Sequence, residues 1–352
     1  MKKWILGINL FFILLLGLTY LTPHIPSHRW GLLTLLTLAY PFTLLINGLF
    51  AAGWLFVRNW FAAFSIIAIL LGWPVHSRYF KLFSFHASKA TCQDAIEVLS
   101  YNLRGLSMIT AEHGASAERR IETLYGTMIE AKIMPDIISI QEGIKGELIG
   151  EKFGLLNSFH GSKSSLWVLT KYPIVDHGEL SGEEANPFCI WADLKTDEGM
   201  LRVYNMHLMS NRVTNTTEEL IQDMDFQKEN TWNNIKFIVG RYTYTTQKRA
   251  REAAMLKNHL KTCPYPALIT GDGNDTPLSN TYHVLVNGMT DSFSDQGIGL
   301  STTYDNTLPL LRIDYLLATP GISFRNHLTY HLHQSDHYPI STAICLATKG
   351  SS

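Results

Sequence analysis

The first 89 residues of this 352-residue chain contain neither aspartate nor glutamate. They contain seven lysines and arginines, whereas the rest holds 22 basic and 30 acidic side chains and has a net charge of −8. A soluble helical domain needs a charged outer face, and the first segment is too poor in charge to supply one. The sequence therefore predicts two physically different parts that join near residue 90.

Cysteine is scarce, and its spacing argues against a zinc site. The four cysteines lie far apart and show no C-x-x-C spacing. Cys189 and Cys345 fall in apolar, strand-like runs, so we expect them to be small buried hydrophobic residues rather than disulfide partners. Cysteine usage alone leaves the redox compartment open.

Long apolar runs dominate the acid-free segment, at about residues 5–21, 31–57 and 60–75. A spanning helix needs roughly 20 apolar residues, so the second run is long enough to cross a bilayer and the other two are slightly short. No small-x-small cleavage site follows the first run, which we therefore interpret as an anchor and not as a signal peptide. We predict a transmembrane region over residues 1–80, a linker over 81–93 and one domain over 94–348.

The basic residues that flank the apolar runs favour one orientation in the membrane. Lys2 and Lys3 favour a cytoplasmic N-terminus, and three crossings would then put the large domain outside the cytoplasm. Arg78, Lys81 and Lys89 favour the opposite orientation. We predict an integral protein of the cell (inner) membrane, anchored in the lipid bilayer by its N-terminal helices, with the large domain outside.

From about residue 94 onward, short β-rich runs alternate with helical runs and are later grouped together. Two amphipathic patterns predict helices over 117–132 and 246–260, and residues 211–244 form a polar, weakly patterned insertion. Such an order indicates sheets with helical covers. Strands are predicted over 96–103, 136–141, 165–169, 188–194, 200–207, 267–270, 313–318 and 340–346.

Polar side chains stand at the ends of these predicted strands, where a scaffold places catalytic groups. Each of them alone is more simply explained as a solvated turn residue. Together they form an ordered set: Ser-Tyr-Asn-Leu-Arg (100–104), Ile-Gln-Glu (140–142), Asn-Met-His-Leu (205–208), Gly-Asp-Gly-Asn-Asp-Thr-Pro (271–277), Arg-Ile-Asp-Tyr (312–315) and Ser-Asp-His-Tyr-Pro-Ile (335–340).

This ordered set resembles the endonuclease/exonuclease/phosphatase superfamily, and in particular its deoxyribonuclease- and sphingomyelinase-like domains, over about residues 94–347. The resemblance implies an α/β (α+β) fold, a four-layered sandwich of two packed, mostly antiparallel β-sheets flanked by helices. It also implies hydrolysis of phosphodiester or phosphomonoester bonds by metal-assisted attack of water.

The resemblance implies a divalent cation, Mg²⁺ or Mn²⁺, in the site. Glu142 would be its main ligand, with Asn102 and Asp336 close by. A hard cation prefers carboxylate and amide oxygens, and it would neutralise the charge that develops on the phosphate oxygens.

The resemblance implies catalytic roles for five further residues. Asp272 would orient or deprotonate the attacking water, and Asn274 would hold the phosphate or that carboxylate. His337 would contact the phosphoryl oxygen and transfer a proton, with Asp314 fixing its tautomer and raising its basicity. His207 would donate to the phosphate or assist the leaving group.

The sequence departs from the family pattern at Gly273, where a bulky apolar residue is usual. The missing side chain removes an anchor from the loop, which gives weight to an alternative: a catalytically inactive, membrane-bound interaction module. Such a descendant should have lost at least one of Glu142, Asp272, Asn274 and His337, and all four are present.

The sequence leaves the substrate open between a nucleic acid and a lipid-linked phosphate. An enzyme that binds duplex DNA normally presents a basic face, whereas the large domain is net acidic and has no long basic run. The anchor favours lipid phosphates, and a tethered nuclease outside the cell fits an outside domain as well. No protein partner is predicted.

Overall fold

The computed structural model describes residues 2–26, 31–83, 92, 94–109, 114–182, 186–210, 229–305 and 311–347. The chain divides into two compact units. The helical unit comprises Met1–Arg78, Met209–Arg251 and Asp275–Val284. The sheet unit comprises Tyr79–Leu208, Glu252–Asn274 and Leu285–Ser352. Most of the predicted linker over 81–93 lies outside the described residues.

Apolar helices form the N-terminal part of the helical unit. They are α1 (Lys2–Leu21), α2 (Gly31–Thr34), α3 (Leu36–Phe56), α4 (Ala62–Leu71) and α5 (Trp73–His76). Two helices are long and apolar enough to cross a membrane, and only 22% and 28% of their most apolar stretches are buried. The third apolar run ends its first helix at Gly72, where an added Cβ would lie 2.2 Å from the Tyr20 ring.

The helical unit buries polar side chains and exposes apolar ones. Asn9 donates to the Ser65 hydroxyl at 2.8 Å and accepts from the Trp54 indole at 3.0 Å, which ties α1 to α4 and α3. Asn47 donates to the Phe12 carbonyl at 3.0 Å. Exposed large residues include Phe11, Leu14, Leu45, Leu49, Leu70 and Leu71. Hydrogen bonds between helices with apolar outer faces are typical of packing in a lipid environment.

The ends of the N-terminal apolar helices contact one later segment of the helical unit, residues 275–284. The Thr22 hydroxyl donates to the Leu278 carbonyl at 2.9 Å, and Asn280 donates to the Pro23 carbonyl at 3.0 Å. Arg78 donates to the Pro277 carbonyl at 3.2 Å. The segment that follows the Gly-Asp-Gly-Asn motif is therefore held by the helix ends.

The sheet unit is built from short strands. They are β1 (Phe80–Lys81), β2 (Ile96–Asn102), β3 (Ile137–Gln141), β4 (Asn157–His160), β5 (Trp167–Thr170), β6 (Ile174–Ser181), β7 (Pro187–Thr196), β8 (Gly199–His207), β9 (Ala267–Asp272), β10 (Thr290–Asp291), β11 (Gly299–Leu300), β12 (Asp314–Ala318), β13 (Ile322–Phe324), β14 (Leu328–Thr329) and β15 (Ile340–Leu346). The later helices of the chain are α6 (Ala117–Glu130), α7 (Gly146–Lys152), α8 (Glu229–Leu260), α9 (Asn280–Val286) and α10 (Ser292–Gln296).

Two large sheets hold most of these strands. The first has the order β10-β12-β9-β8-β7-β6, and the second has the order β13-β15-β2-β3-β5-β4 with β14 also paired to β15. Among the described pairs, β2 with β3 and β8 with β9 run parallel and the others run antiparallel. β1 and β11 form a separate two-stranded sheet.

One hydrophobic core lies between the two large sheets. Val98 and Val168 enter it from the second sheet, and Ile190, Val203 and Leu268 enter it from the first, all fully buried. Alternate residues of a strand face opposite sides of the sheet, so the outer faces need their own cover. The predicted architecture of two packed, mostly antiparallel sheets flanked by helices is confirmed.

Helices cover the outer faces of the sheets. α6 packs Ile121, Leu124 and Met128 against the second sheet, as the 3.6-residue period predicts. On the first sheet, His259 of α8 accepts from or donates to the Tyr204 hydroxyl at 2.9 Å. The start predicted for that helix, residue 246, is wrong, because α8 begins at Glu229. The buried positions ahead of residue 246 include a tyrosine and a threonine, which a hydrophobic pattern does not mark. Residues 211–228 of the predicted insertion lie outside the described residues.

A disulfide joins Cys92 to Cys345 across 253 residues of sequence. The prediction that Cys345 is an isolated buried hydrophobic residue is therefore wrong, whereas Cys189 is buried and free. The reason is the antiparallel pairing of β15 with β2, which sets Ile344 opposite Ile96 and so brings Cys345 to the start of β2. Sequence spacing cannot reveal such a pairing.

Candidate active site

Two pairs of parallel strands bring polar residues to the edges of the sheets. β2 ends at Asn102 beside Gln141, the last residue of β3, and Glu142 follows directly. In the first sheet, β8 ends at His207 beside Asp272, the last residue of β9. Parallel strands end at the same edge of a sheet, which explains why residues distant in sequence converge here.

Antiparallel strands add the remaining groups. β12 begins at Asp314, which lies directly opposite Asp272 in the ladder. β15 begins at Ile340 opposite Ser100, two residues before the end of β2. His337 therefore reaches the site from the turn that leads into β15.

The turns that carry these groups have residues with positive φ angles. Glu142 and Asn274 both have left-handed backbone, with φ near 50°. Gly271 has φ +117°, and an added Cβ would lie 2.1 Å from the Met206 carbonyl oxygen. Only glycine adopts such a conformation without strain. At Gly273, by contrast, the ring of Tyr315 occupies the space beside the backbone, 3.0 Å from where a Cβ would stand.

Asp272 lies at the centre of the site and is almost completely buried. Its Oδ2 accepts from Asn102 Nδ2 at 3.1 Å, and its Oδ1 accepts from the Asn274 backbone N–H at 2.7 Å. Asn274 Nδ2 also lies 3.2 Å from Oδ2 and donates to the Leu208 carbonyl at 2.9 Å. These donors hold the carboxylate in one orientation.

His337 and Asp314 form a buried pair beside Asp272. His337 Nδ1 lies 3.0 Å and 3.2 Å from the two oxygens of Asp314, and Nε2 lies 3.7 Å from Asp272 Oδ2. Each of the two imidazole nitrogens therefore lies beside a carboxylate. The hydrogen bond that Nδ1–H donates to Asp314 fixes the orientation of the ring, with Nε2 directed at the centre of the site.

The charges in this cluster shift two pKa values. Burial raises the pKa of Asp272 to about 6, against the opposing effect of the nearby His337. Burial alone would lower the pKa of His337, but the charges of Asp314 and Asp272 and the hydrogen bond that His337 donates to Asp314 raise it to about 10. The carboxylates thus favour a protonated imidazole, which can donate to a substrate oxygen.

Glu142 and His207 face each other across the mouth of the site. Asn102 Nδ2 lies 3.4 Å from Glu142 Oε1, and His207 Nε2 lies 3.6 Å from both Glu142 Oε1 and Asp272 Oδ2. Asn102 thus donates a long hydrogen bond to Glu142, but the two 3.6 Å contacts of His207 are too long for hydrogen bonds, and His207 Nε2 is buried with no hydrogen-bond partner among the described residues. A buried polar atom in this state indicates a position for a ligand.

Asp336 lies at the side of the same cluster. Its Oδ2 forms an ion pair with Arg104 at 2.9 Å, and its Oδ1 accepts from Ser335 at 3.3 Å. The Ser335 hydroxyl also donates to the Asn102 carbonyl at 2.8 Å. The side-chain oxygen of Asn102 accepts from the Arg104 backbone at 3.0 Å, which leaves one lone pair of that oxygen for a cation.

Several residues that support the site had no role in the sequence prediction. The Thr303 hydroxyl accepts from the backbone N–H groups of Ile313 and Asp314 at 3.0 and 3.1 Å, and the Tyr304 ring lies edge-on to His337 at 4.9 Å. No pattern in the sequence distinguishes these two from ordinary loop residues.

A buried amide pair links the two sheets beneath the site. Gln141 donates to Asn205 Oδ1 at 2.6 Å, and Asn205 donates to the Ile140 and Trp167 carbonyls at 2.8 Å each. Both residues lie inside motifs that the sequence singles out, and their polarity at buried strand positions is the signal that could have assigned them a structural role.

The donor chemistry of the cluster fits a hard divalent cation. Asp272, Asp314 and His337 offer ligand atoms that all lie within 4.8 Å of one another. Glu142 adds a carboxylate that is 40% exposed, and its contacts with Asn102 and His207, both in the described part of the chain, are 3.4 Å and 3.6 Å long. Oxygen-rich sets of this kind suit Mg²⁺ or Mn²⁺ more than zinc.

Family models match both parts of the chain. The model of the endonuclease/exonuclease/phosphatase family matches residues 99–337, and that of a domain of unknown function (DUF8431) matches residues 2–79. No curated protein matches this sequence.

Solved structures are similar to about 70% of the chain. An endonuclease/exonuclease/phosphatase from Bacteroides vulgatus is 14% identical, with a TM-score of 0.51 over 72% of this chain and 100% of that one. A 3′ phosphatase from Neisseria bound to a product DNA hairpin is 14% identical, with a TM-score of 0.48 over 70% and 98%. A mannosyl-6-phosphatase from Bacteroides thetaiotaomicron is 17% identical, with a TM-score of 0.47 over 71% and 100%.

Proposed function

Because the chain belongs to the endonuclease/exonuclease/phosphatase family, we propose that it is a membrane-anchored phosphoesterase that depends on a divalent metal ion and hydrolyses a phosphate ester by attack of water. The observation that carries this proposal is the convergence of Asp272, Asp314 and His337 beneath the orphaned Nε2 of His207. A structural ion-pair network would satisfy that nitrogen, whereas a phosphate oxygen or a cation-bound water would complete it.

Glu142 would be the main ligand of the cation, with Asn102 and Asp336 at its side. The ion would supply positive charge that neutralises the phosphate oxygens and activates the nucleophilic water. Two features of the geometry support this assignment: the long contacts of the Glu142 carboxylate and the second lone pair of the Asn102 oxygen. The ion pair of Asp336 with Arg104 would hold that carboxylate beside the cation.

The chain's own side chains would bind the phosphate and move the protons. Asp272, held by three hydrogen bonds from Asn102 and Asn274, would orient the attacking water and accept its proton. His337 would donate from Nε2 to a phosphoryl oxygen, with Asp314 fixing its orientation from the Nδ1 side. His207 Nε2 would donate to the phosphate or to the leaving group, and Asn274 would hold the loop at Asp272.

The helical unit supports the membrane anchor. Its fully buried residues include Asn9, Asn47 and Ser65, whereas large apolar side chains of α1, α3 and α4 are exposed. That distribution is the reverse of a water-soluble helical bundle, in which polar groups face outward. In a lipid bilayer the same distribution is favourable, because lipid covers the apolar face and the buried polar groups bond to one another.

The disulfide supports a sheet unit outside the cytoplasm. Disulfides such as Cys92–Cys345 persist in oxidising compartments and are rare in the reducing cytosol. If the third apolar run, residues 60–75, also crosses the bilayer, Lys2 and Lys3 at the start of α1 favour the matching orientation, with the N-terminus inside. The protein would then be an integral protein of the cell (inner) membrane that meets its substrate on the outer side.

The substrate is a phosphate ester of either a nucleic acid or a membrane lipid. The intact set of catalytic side chains speaks against the alternative of an inactive interaction module, because such a module has no reason to keep Asp272, Asn274 and His337 in bonding distance.

The test is hydrolysis of bis(p-nitrophenyl) phosphate by the purified full-length chain in detergent. Release of p-nitrophenol should require Mg²⁺ or Mn²⁺, stop when EDTA is added and return when the ion is restored. Full activity in EDTA would refute the metal-dependent mechanism, and the absence of hydrolysis with every divalent ion would favour the interaction module.

A further inference from the structure

A groove in the sheet unit takes no part in the chemistry described above. Its volume is about 870 Å³, within the usual range for sites that bind small molecules. The side chains that matter here are Ile298, Leu300, Leu328, Arg325, His331 and Tyr338.

The rim of this groove is apolar and exposed. Ile298, Leu300 and Leu328 are 66%, 59% and 46% exposed. Neighbouring aliphatic side chains that remain in water mark binding sites more often than ordinary surface. Arg325 and His331 add groups that can meet an anion at the same groove.

The wall of the groove shares its backbone with the catalytic pair. Tyr338 lines the groove and follows His337 directly, and its backbone N–H donates to the Thr303 carbonyl at 2.7 Å. The Thr303 hydroxyl in turn accepts from the Asp314 N–H at 3.1 Å. A residue that lines the groove is therefore adjacent to His337 in sequence, and it is linked to Asp314 through Thr303.

The rim of the groove is also close in the chain to the anchor helices. Leu300 of β11 pairs with Phe80 of β1, and β1 begins four residues after α5 ends at His76. Four residues span at most about 14 Å. Lys81 fixes β1 by donating to the Ser294 carbonyl at 2.7 Å.

The catalytic strand β9 has a similar link to the anchor. Pro277, whose carbonyl accepts from Arg78, stands five residues after Asp272. Both the hydrolytic centre and the groove are thus bound by short chain segments to the ends of the apolar helices.

We propose that this groove binds the hydrocarbon chain of a membrane lipid whose phosphate ester is hydrolysed at Asp272 and His337. This inference rests on the proposed function and names its substrate class. A nucleic acid has no extended apolar chain to cover Ile298, Leu300 and Leu328, and the net charge of −8 beyond residue 89 repels a polyanion.

The experiment compares two substrates that share one scissile bond. Methyl p-nitrophenyl phosphate and hexadecyl p-nitrophenyl phosphate differ only in the alkyl chain, and both release p-nitrophenol. The full-length chain is assayed in mixed detergent micelles with Mg²⁺. We expect kcat/KM to be at least about 100-fold higher for the hexadecyl ester, since burial of each methylene favours binding.

Variants assign that preference to the groove. Leu300→Asp and, independently, Leu328→Asp should each lower the hexadecyl-to-methyl ratio by about tenfold or more. Leu156→Asp is the matched control, because Leu156 is 84% exposed and does not line the groove. That variant should keep the wild-type ratio.

The outcomes separate the two claims. Hydrolysis of both esters with equal kcat/KM, or an unchanged ratio in both groove variants, would overturn the groove proposal and leave the hydrolase intact. A single-stranded DNA oligonucleotide cleaved with higher kcat/KM than the hexadecyl ester would overturn it in favour of a nuclease. Hydrolysis of neither ester, with bis(p-nitrophenyl) phosphate also untouched, would refute the proposed function and the groove proposal with it.

Discussion

His337 Nδ1 lies 3.0 Å from Asp314 Oδ2, and the opposite nitrogen of the same ring lies 3.7 Å from Asp272. This geometry predicts that His337 is a catalytic residue and that Asp314 is its positioning residue. His337→Ala should lower kcat for bis(p-nitrophenyl) phosphate by roughly 10²–10⁴-fold, the usual contribution of a positioned proton donor. Asp314→Asn should cause a smaller loss, because the amide can still bond to the ring but carries no charge.

His177→Ala is the control for that series, because His177 lies on the exposed strand β6, outside the site. Its kcat should equal that of the wild type. The thermal midpoint of His337→Ala should also stay close to the wild-type value. Near-native turnover in His337→Ala would show that its role is misassigned.

Gly271 predicts a steric requirement in the catalytic turn. Gly271→Ala would place Cβ 2.1 Å from the Met206 carbonyl oxygen at a φ of +117°, so strand β9 must shift. We expect a loss of more than about 3 kcal/mol in the free energy of unfolding, from overpacking together with backbone strain. Urea titration of the tryptophan fluorescence measures it.

Gly154→Ala is the matched control, since Gly154 also has positive φ, +70°, but an added Cβ meets nothing within 4 Å. It should lose only about 1 kcal/mol, the strain of a left-handed alanine. Equal losses for the two variants would rule out the clash as the cause.

The clustering of the carboxylates and the imidazole of the candidate site could be predicted from sequence, because each of these polar groups stands next to an apolar strand. The sequence pattern indicates Asp272 and His337 in this way, and the pairing of their strands brings them together in the fold. Thr303 and Tyr304 could not be predicted, because their contacts form only in the folded chain: the Thr303 hydroxyl accepts from the Asp314 N–H, and Tyr304 pairs with His337 in an isolated bridge.

The same distinction applies to the fold. The β-rich run of β2 and the helical periodicity of apolar residues in α6 are local sequence signals, and both elements appear within a few residues of their predicted bounds. The Cys92–Cys345 pair depends on β15 lying beside β2, and no local pattern records that neighbourhood.

His327 predicts how the stability of the sheet unit depends on pH. Its Nδ1 shares a hydrogen bond of 2.8 Å with the Ser292 hydroxyl. Burial lowers its pKa from 6.5 to about 3, and the charge of Arg312 adds to the shift while Asp291 opposes it. Between those values the unfolded state binds a proton that the folded state does not, so stability is complete above pH 6.5 and falls as the pH drops toward 3.

The thermal midpoint between pH 7 and pH 4 tests this dependence. His327→Gln, which cannot gain a proton, should lose less stability than the wild type over that range, by up to about 1.4 kcal/mol per pH unit. The carboxylates contribute equally to both proteins and cancel in the difference. If the thermal midpoints of the two proteins fell in parallel with pH, the result would contradict a neutral, buried His327.

The helical unit predicts an integral membrane protein. Only 22% and 28% of the most apolar stretches of α1 and α3 are buried, so washing of membranes at alkaline pH with carbonate should leave the full-length chain in the pellet. Release into the supernatant would contradict the spanning helices.

The orientation of the chain follows from the same preparation. Protease added to intact spheroplasts should digest the sheet unit while a cytosolic marker protein survives. The disulfide predicts this result, because it requires an oxidising compartment. Digestion only after lysis would put the sheet unit in the cytosol.

The central claim is that Glu142 is the main ligand of a divalent cation, and Glu142→Gln tests it most directly. Replacing one carboxylate oxygen with an amide removes the negative charge that attracts the cation but keeps the size of the side chain. The measurement is the rate of bis(p-nitrophenyl) phosphate hydrolysis as a function of Mg²⁺ concentration. Glu147→Gln serves as the matched control, since Glu147 is exposed on α7 five residues away. We predict that Glu142→Gln needs at least tenfold more Mg²⁺ for half-maximal activity, while the Glu147→Gln curve overlays that of the wild type; a Glu142→Gln curve with the wild-type midpoint and maximum would contradict the account.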